Sequence, residues 1–207
     1  MHHALLIKVC GVTTVAMALD AVDAGANLVG VVLLQSSPRC VSLSMAQAIR
    51  EALAGKAESV ALVARGVDDA SLCIASTFDC VQFHGEETPE ELREICATFH
   101  IKRAMKGFAW SPEAAHMWDQ CNLARLVVDS ATGGSGQRFD HAAFAESRRN
   151  LKTPILLAGG LTPMNVADAV RTLRPEGVDV SSGVESRKGV KDPQLVRAFI
   201  AAARTPS

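Results

Sequence analysis

Cys10 closes an apolar run, LLIKVC, and the turn-like CGVTT follows it. A thiol acts as a base or nucleophile only as its thiolate, and a free thiol has a pKa of about 8.5. Lys8 lies two residues earlier, so on a strand its side chain shares the face of Cys10, and a cation there would favour the thiolate. The alternative is a small, buried and inert cysteine. Asp129 ends a second run, ARLVVD, just before SATGGSG. A carboxyl group so placed could act as a general acid or base, with a pKa raised by partial burial. Otherwise it caps its own turn. Arg39, in SSPRC, offers a planar fork suited to a carboxylate, or it is a solvated surface arginine. His84 ends CVQFH and shares a strand face with Gln82, in either a structural or a functional role.

Two further stretches, LLAGGLTPMNV and GVDVSSGVES, each read as a strand, then small residues, then a helix start. Loops of this kind aim backbone N–H groups, and the positive end of a helix dipole, at a bound anion. Gly159, Gly160, Ser182 and Gly183 are therefore candidates for holding a phosphate, although small residues also permit tight turns. No G-x-x-x-x-G-K-[ST] loop is present, which argues against a nucleoside triphosphate.

The elements that must position these residues alternate along the chain. Strand candidates span 5–10, 28–34, 59–64, 80–84, 101–106, 124–129, 155–158 and 178–181. Between them lie helix-like segments. In Thr13–Gly25 apolar residues recur at Val15, Ala18, Leu19 and Val22, and Gly25 closes the segment. Ser42 and Thr88-Pro89 supply N-terminal caps, Thr162-Pro163 repeats the device, and Asp192-Pro193 starts the last helix. Near-continuous apolar strands indicate a parallel sheet covered on both faces. Eight such units predict one (β/α)8 TIM barrel domain over residues 1–207, with a doubly wound open sheet as the alternative. Barrel enzymes work at the C-terminal ends of their strands, which is where every candidate residue above falls.

Composition narrows the class. A formal charge of −1 gives no bulk attraction to nucleic acid or to an anionic membrane. No signal-peptide pattern or membrane-length apolar stretch is present, so a cytoplasmic location is expected. The six cysteines form no C-x-x-C pair and the histidines no ligand spacing, so no metal is expected.

Taken together, KVCGVTT, SSPRCVS, VQFHGEETPE, DSATGGSGQRFD, AGGLTPMNV and GVDVSSGVESRKGVKDP resemble the phosphoribosylanthranilate isomerase family, in family order from residue 8 to about 193. The resemblance implies an Amadori rearrangement of N-(5-phosphoribosyl)anthranilate in tryptophan biosynthesis, with no cofactor and a small phosphosugar as the ligand. It implies Asp129 as general acid and Cys10 as general base. Arg39 would face the anthranilate carboxylate, and His84 would belong to the substrate site. Gly159, Gly160, Asp179, Ser182 and Gly183 would form the phosphate and sugar end. The chain would work as a monomer or homodimer. Departures from the family thin the aromatic lining expected near the anthranilate ring. His141 stands where Trp is usual, strand two reads GVVLL, strand three reads VALVARG, and there is no Tyr. Two other readings share the phosphate loops: an isomerase of a related aminoaldose phosphate, and a non-catalytic phosphate-ligand binding barrel.

Overall fold

The computed structural model describes residues 4–130 and 141–205. Eight strands, β1 (Leu6–Cys10), β2 (Leu28–Val32), β3 (Glu58–Val63), β4 (Cys80–Phe83), β5 (Ala104–Ala109), β6 (Arg125–Asp129), β7 (Ile155–Ala158) and β8 (Gly177–Val180), form a closed barrel in sequence order. All neighbours are parallel, including the closing β1–β8 pair, where Lys8 lies opposite Asp179. The helices are α1 (Val15–Ala24), α2 (Leu43–Leu53), α3 (Asp69–Ala75), α4 (Pro89–Thr98), α5 (Pro112–Asp119), α6 (His141–Arg148), α7 (Val166–Leu173) and α8 (Pro193–Arg204). This is the (β/α)8 TIM barrel expected from the alternation, and the open sheet is set aside. A short antiparallel hairpin, β9 (Glu185–Arg187) with β10 (Val190–Lys191), follows β8 and was not anticipated.

Local chemistry sets the helix ends. The side chains of Thr14, Ser42, Asp68, Ser111 and Asp192 accept from backbone N–H groups of the first turns they cap. Thr88 and Glu91 form a reciprocal capping box behind Pro89. Gly25 ends α1 in the left-handed region at φ 104°, where glycine carries no Cβ penalty. Thr162-Pro163 does not start α7 as expected. The helix begins three residues later, after Asn165, whose side chain instead accepts from the Thr162 N–H.

The strands read as continuous apolar runs because both faces are buried. Alternate residues such as Ile7, Val9, Val29, Val31, Val63 and Val128 pack outward under the helices. The barrel interior holds Leu28, Val60, Cys80, Met105, Val127 and Leu156. Below that layer Arg125 grips Glu58 through two bonds of 2.8 and 2.9 Å and closes the floor. Burial pushes the Cys80 thiol up to about 12, so it is an inert filler. No helix among the described residues is long and apolar enough to cross a membrane.

Candidate active site

Above the apolar layer the interior turns polar. Lys8 is wholly buried on β1 and donates to Asp179 on β8 at 3.0 Å; Asp179 is 9% exposed. Burial pulls the Lys8 ammonium down, but the attraction of Asp179 and of the Cys10 side chain outweighs it and leaves the pKa above its ordinary value. Room for this cluster comes from Gly30 on β2. A Cβ there would stand 3.0 Å from Cys10 Sγ and 3.4 Å from Lys8 Cε. Gly107 on β5 does the same for His84, whose ring a Cβ would strike.

The C-terminal ends of the strands open into one cavity of about 340 Å³. Its lining includes Cys10, Arg39, His84, Asp129, Gly159, Gly160, Asp179, Ser182 and Gly183, so all nine residues singled out in the sequence meet there. Val32 at the end of β2, Leu34 just beyond it and Leu62 on β3 form an aliphatic wall beside Cys10, in the two segments where the sequence lacks the family's aromatic residues. The His84 ring faces the cavity. Burial lowers its pKa, Asp179 opposes this and Lys8 adds to it, so the neutral imidazole is favoured.

Cys10 is buried at the foot of the cavity, in reach of the charges of Lys8, Arg39 and Lys191. Asp129 is half-buried across the mouth at the end of β6. Ser130 fixes that strand end to β7. Its hydroxyl donates to the carbonyls of Ala158 at 2.8 Å and Gly159 at 3.3 Å. The following loop, with GGSG, lies outside the described residues.

The two glycine-rich loops meet. Gly183 sits against the Leu161 carbonyl so closely that any Cβ would collide with it. Gly159 and Gly160 are both in the left-handed region, at φ 89° and 63°, and their N–H groups donate to no described residue. Only a three-residue 3-10 turn, Ser182–Val184, follows β8, so this end offers loop amides rather than a long helix dipole.

Two placements differ from expectation in detail. Asp179 lies inside the barrel, ion-paired to Lys8, although it still lines the cavity. Arg39 is engaged by Glu185, a residue the sequence reading passed over. Gln82, noted only as sharing a face with His84, lines the same cavity, and its Oε1 has no hydrogen-bond partner among the described residues. Among the described residues no group of three or more His, Cys, Asp or Glu side chains is arranged to hold a metal ion.

Comparison with known proteins agrees with this geometry. Residues 7–202 match the family described as N-(5'phosphoribosyl)anthranilate (PRA) isomerase. The chain is 41% identical over 211 residues to the N-(5'-phosphoribosyl)anthranilate isomerase of Rhodopseudomonas palustris strain BisA53, covering 96% of this chain and 95% of that one. The crystal structure of phosphoribosyl anthranilate isomerase from Thermotoga maritima superposes with a TM-score of 0.82 at 32% identity, covering 96% and 98% of the two chains. A structure of such an isomerase in complex with reduced 1-(o-carboxyphenylamino)-1-deoxyribulose 5-phosphate gives a TM-score of 0.80 at 31% identity, with the same coverage. With a closed eightfold barrel, a polar cavity at its mouth and these relatives across nearly its full length, the chain belongs to the N-(5'-phosphoribosyl)anthranilate isomerase family, aldose–ketose isomerases of tryptophan biosynthesis.

Proposed function

We propose that the chain, acting as one barrel over its whole length, converts N-(5'-phosphoribosyl)anthranilate to 1-(o-carboxyphenylamino)-1-deoxyribulose 5-phosphate in the cavity at its strand ends. The observation that carries this reading is the convergence of Cys10, Asp129, Arg39 and two glycine loops on a single cavity.

The substrate has an anion at each end, a carboxylate on the ring and a phosphate on the sugar. Gly159, Gly160, Ser182 and Gly183 hold the phosphate with loop amides, and Arg39 faces the carboxylate. Anchoring both ends sets the sugar between β1 and β6 and supplies orientation. Asp129, protonated, gives its proton to the furanose ring oxygen. The C1–O bond breaks, the aryl nitrogen's lone pair forms the C1=N bond, and the ring opens to an iminium ion. The positive nitrogen acidifies the C2 proton. Cys10, as thiolate, removes that proton, and the C–H electrons move to give the enolamine. Return of a proton to C1, with loss of the C2 hydroxyl proton, yields the ketone. Every step is a proton transfer or an internal bond shift, so the chemistry calls for no redox cofactor or metal.

His84 and Asp179 line the sugar's side of the cavity and offer hydrogen bonds to its hydroxyls. The aliphatic wall of Val32, Leu34 and Leu62 receives the anthranilate ring by apolar burial rather than by stacking.

The test is the fluorescence of phosphoribosylanthranilate generated in place from anthranilate and phosphoribosyl pyrophosphate. Purified protein should accelerate its decay, with the deoxyribulose product identified by mass. Decay no faster than spontaneous breakdown would reject the assignment.

A further inference from the structure

Arg39 does not reach the cavity unassisted. Its Nε and one terminal nitrogen lie 2.6 and 2.9 Å from the two carboxylate oxygens of Glu185, in a bidentate pair spanning 146 residues of sequence. Glu185 is 6% exposed at its side chain. It also accepts from Lys191 Nζ at 2.8 Å, and that ammonium, 3% exposed, donates to the Ser181 carbonyl at 3.1 Å and hydroxyl at 3.2 Å. The stem of Arg39 crosses Gly11, where a Cβ would stand 2.6 Å from Arg39 Cδ. The arginine is thus fixed along its stem and along one edge of its fork. Its other terminal nitrogen donates to no described residue, and Arg39 lines the cavity beside Cys10.

We infer that Glu185 is a positioning residue for substrate recognition, holding the Arg39 fork edge-on so that its second edge meets the ligand carboxylate. The inference rests on the reading of Arg39 proposed above. A carboxylate beside an arginine would ordinarily cancel its pull on an anion. Lys191 removes that difficulty, because two cations against one carboxylate leave the cluster one positive charge. An unpinned arginine also loses rotamer freedom when it binds, whereas one held by Glu185 has already lost it. The same segment carries Ser182 and Gly183 at the phosphate end, so the turn and hairpin after β8 set both anchoring points.

Two ligands test this by calorimetry: reduced 1-(o-carboxyphenylamino)-1-deoxyribulose 5-phosphate and its phenylamino counterpart lacking the carboxylate. Glu185→Gln should weaken the carboxylated ligand roughly tenfold and move the other by less than about twofold. Arg39→Ala should abolish the preference for the carboxylate, and adding Glu185→Gln to it should cost nothing further. KM for phosphoribosylanthranilate should rise in Glu185→Gln by a larger factor than kcat falls. If Arg39→Ala keeps the carboxylate preference, the reading of Arg39 fails and the inference falls with it. If Arg39→Ala loses the preference and Glu185→Gln retains it, the inference alone is overturned. Tighter binding of the carboxylated ligand by Glu185→Gln would mean that Glu185 competes with the ligand, and would overturn it too. Should Glu185→Gln fail to fold, Glu185→Asp decides by the same pair of affinities. It keeps the charge but withdraws it by one methylene, and it should weaken the carboxylated ligand selectively.

Discussion

A wholly buried lysine is costly unless a partner answers its charge. Lys8 has Asp179 at 3.0 Å, and the pair sits under Cys10. Lys8→Met would leave Asp179 without its cation. We expect a loss of about 3 kcal/mol in urea unfolding, part of it recovered by adding Asp179→Asn, because removing one member of a buried pair costs more than removing both. Cys10→Ala and Asp129→Asn should each lower kcat by about a thousandfold while leaving circular dichroism unchanged, the range expected for loss of a positioned acid or base. Near wild-type rates in both variants would reject the assigned acid and base. The sequence showed these two residues because a reactive type at the end of an apolar run is a local signal. Glu185 gave no such signal. Its meaning comes from a pairing with Arg39 that only chain closure creates. Lys191, inside KGVKDP, gave none either, and it lies buried on the hairpin.

At the level of elements, periodicity and caps were enough for most of the barrel. The strand register shifted where glycine has a packing role. The sequence places the fifth strand at 101–106, whereas it runs Ala104–Ala109, through Gly107. Gly107 belongs inside the strand because the His84 ring occupies the space of its missing side chain. The β9–β10 hairpin escaped notice because strands of three and two residues carry too little alternation to detect. The paired loops after β7 and β8 yield a sharp expectation. Gly183→Ala forces a Cβ into the Leu161 carbonyl and must part the two loops. Overpacking of this kind costs about 1–3 kcal/mol. KM for the phosphorylated substrate should rise more than kcat falls, and inorganic phosphate should inhibit the variant less well than the wild type. Unchanged inhibition by phosphate would place the anion elsewhere.

At the scale of the whole molecule, Glu185 is one of the carboxylates that tie stability to pH. Burial would raise its pKa, but the bonds from Arg39 and Lys191 prevail and hold it at about 2, against an ordinary value of 4.5. A depressed folded pKa contributes stability above the unfolded value and loses it as pH falls through the folded one. Wild type should therefore exceed Glu185→Gln in melting temperature near neutrality, and the margin should shrink between pH 4.5 and about 2. A margin constant across that range would show that Glu185 is not held as a carboxylate by its neighbours. The fold as a whole was the most legible feature, since eight repeats of a βα pattern reinforce one another where a single motif does not. The aliphatic wall of Val32, Leu34 and Leu62 bears on what a substitution there would do. Branched aliphatic side chains fill space without dictating how a ring must lie, whereas aromatic ones impose stacked or edge-on geometry. Under the proposed binding mode, with anchors at the two ends of the ligand, such a wall constrains the ring between them by volume rather than by orientation. Val32 and Leu62 pack against Cys10, so a change of volume along that wall would also reach the proposed base.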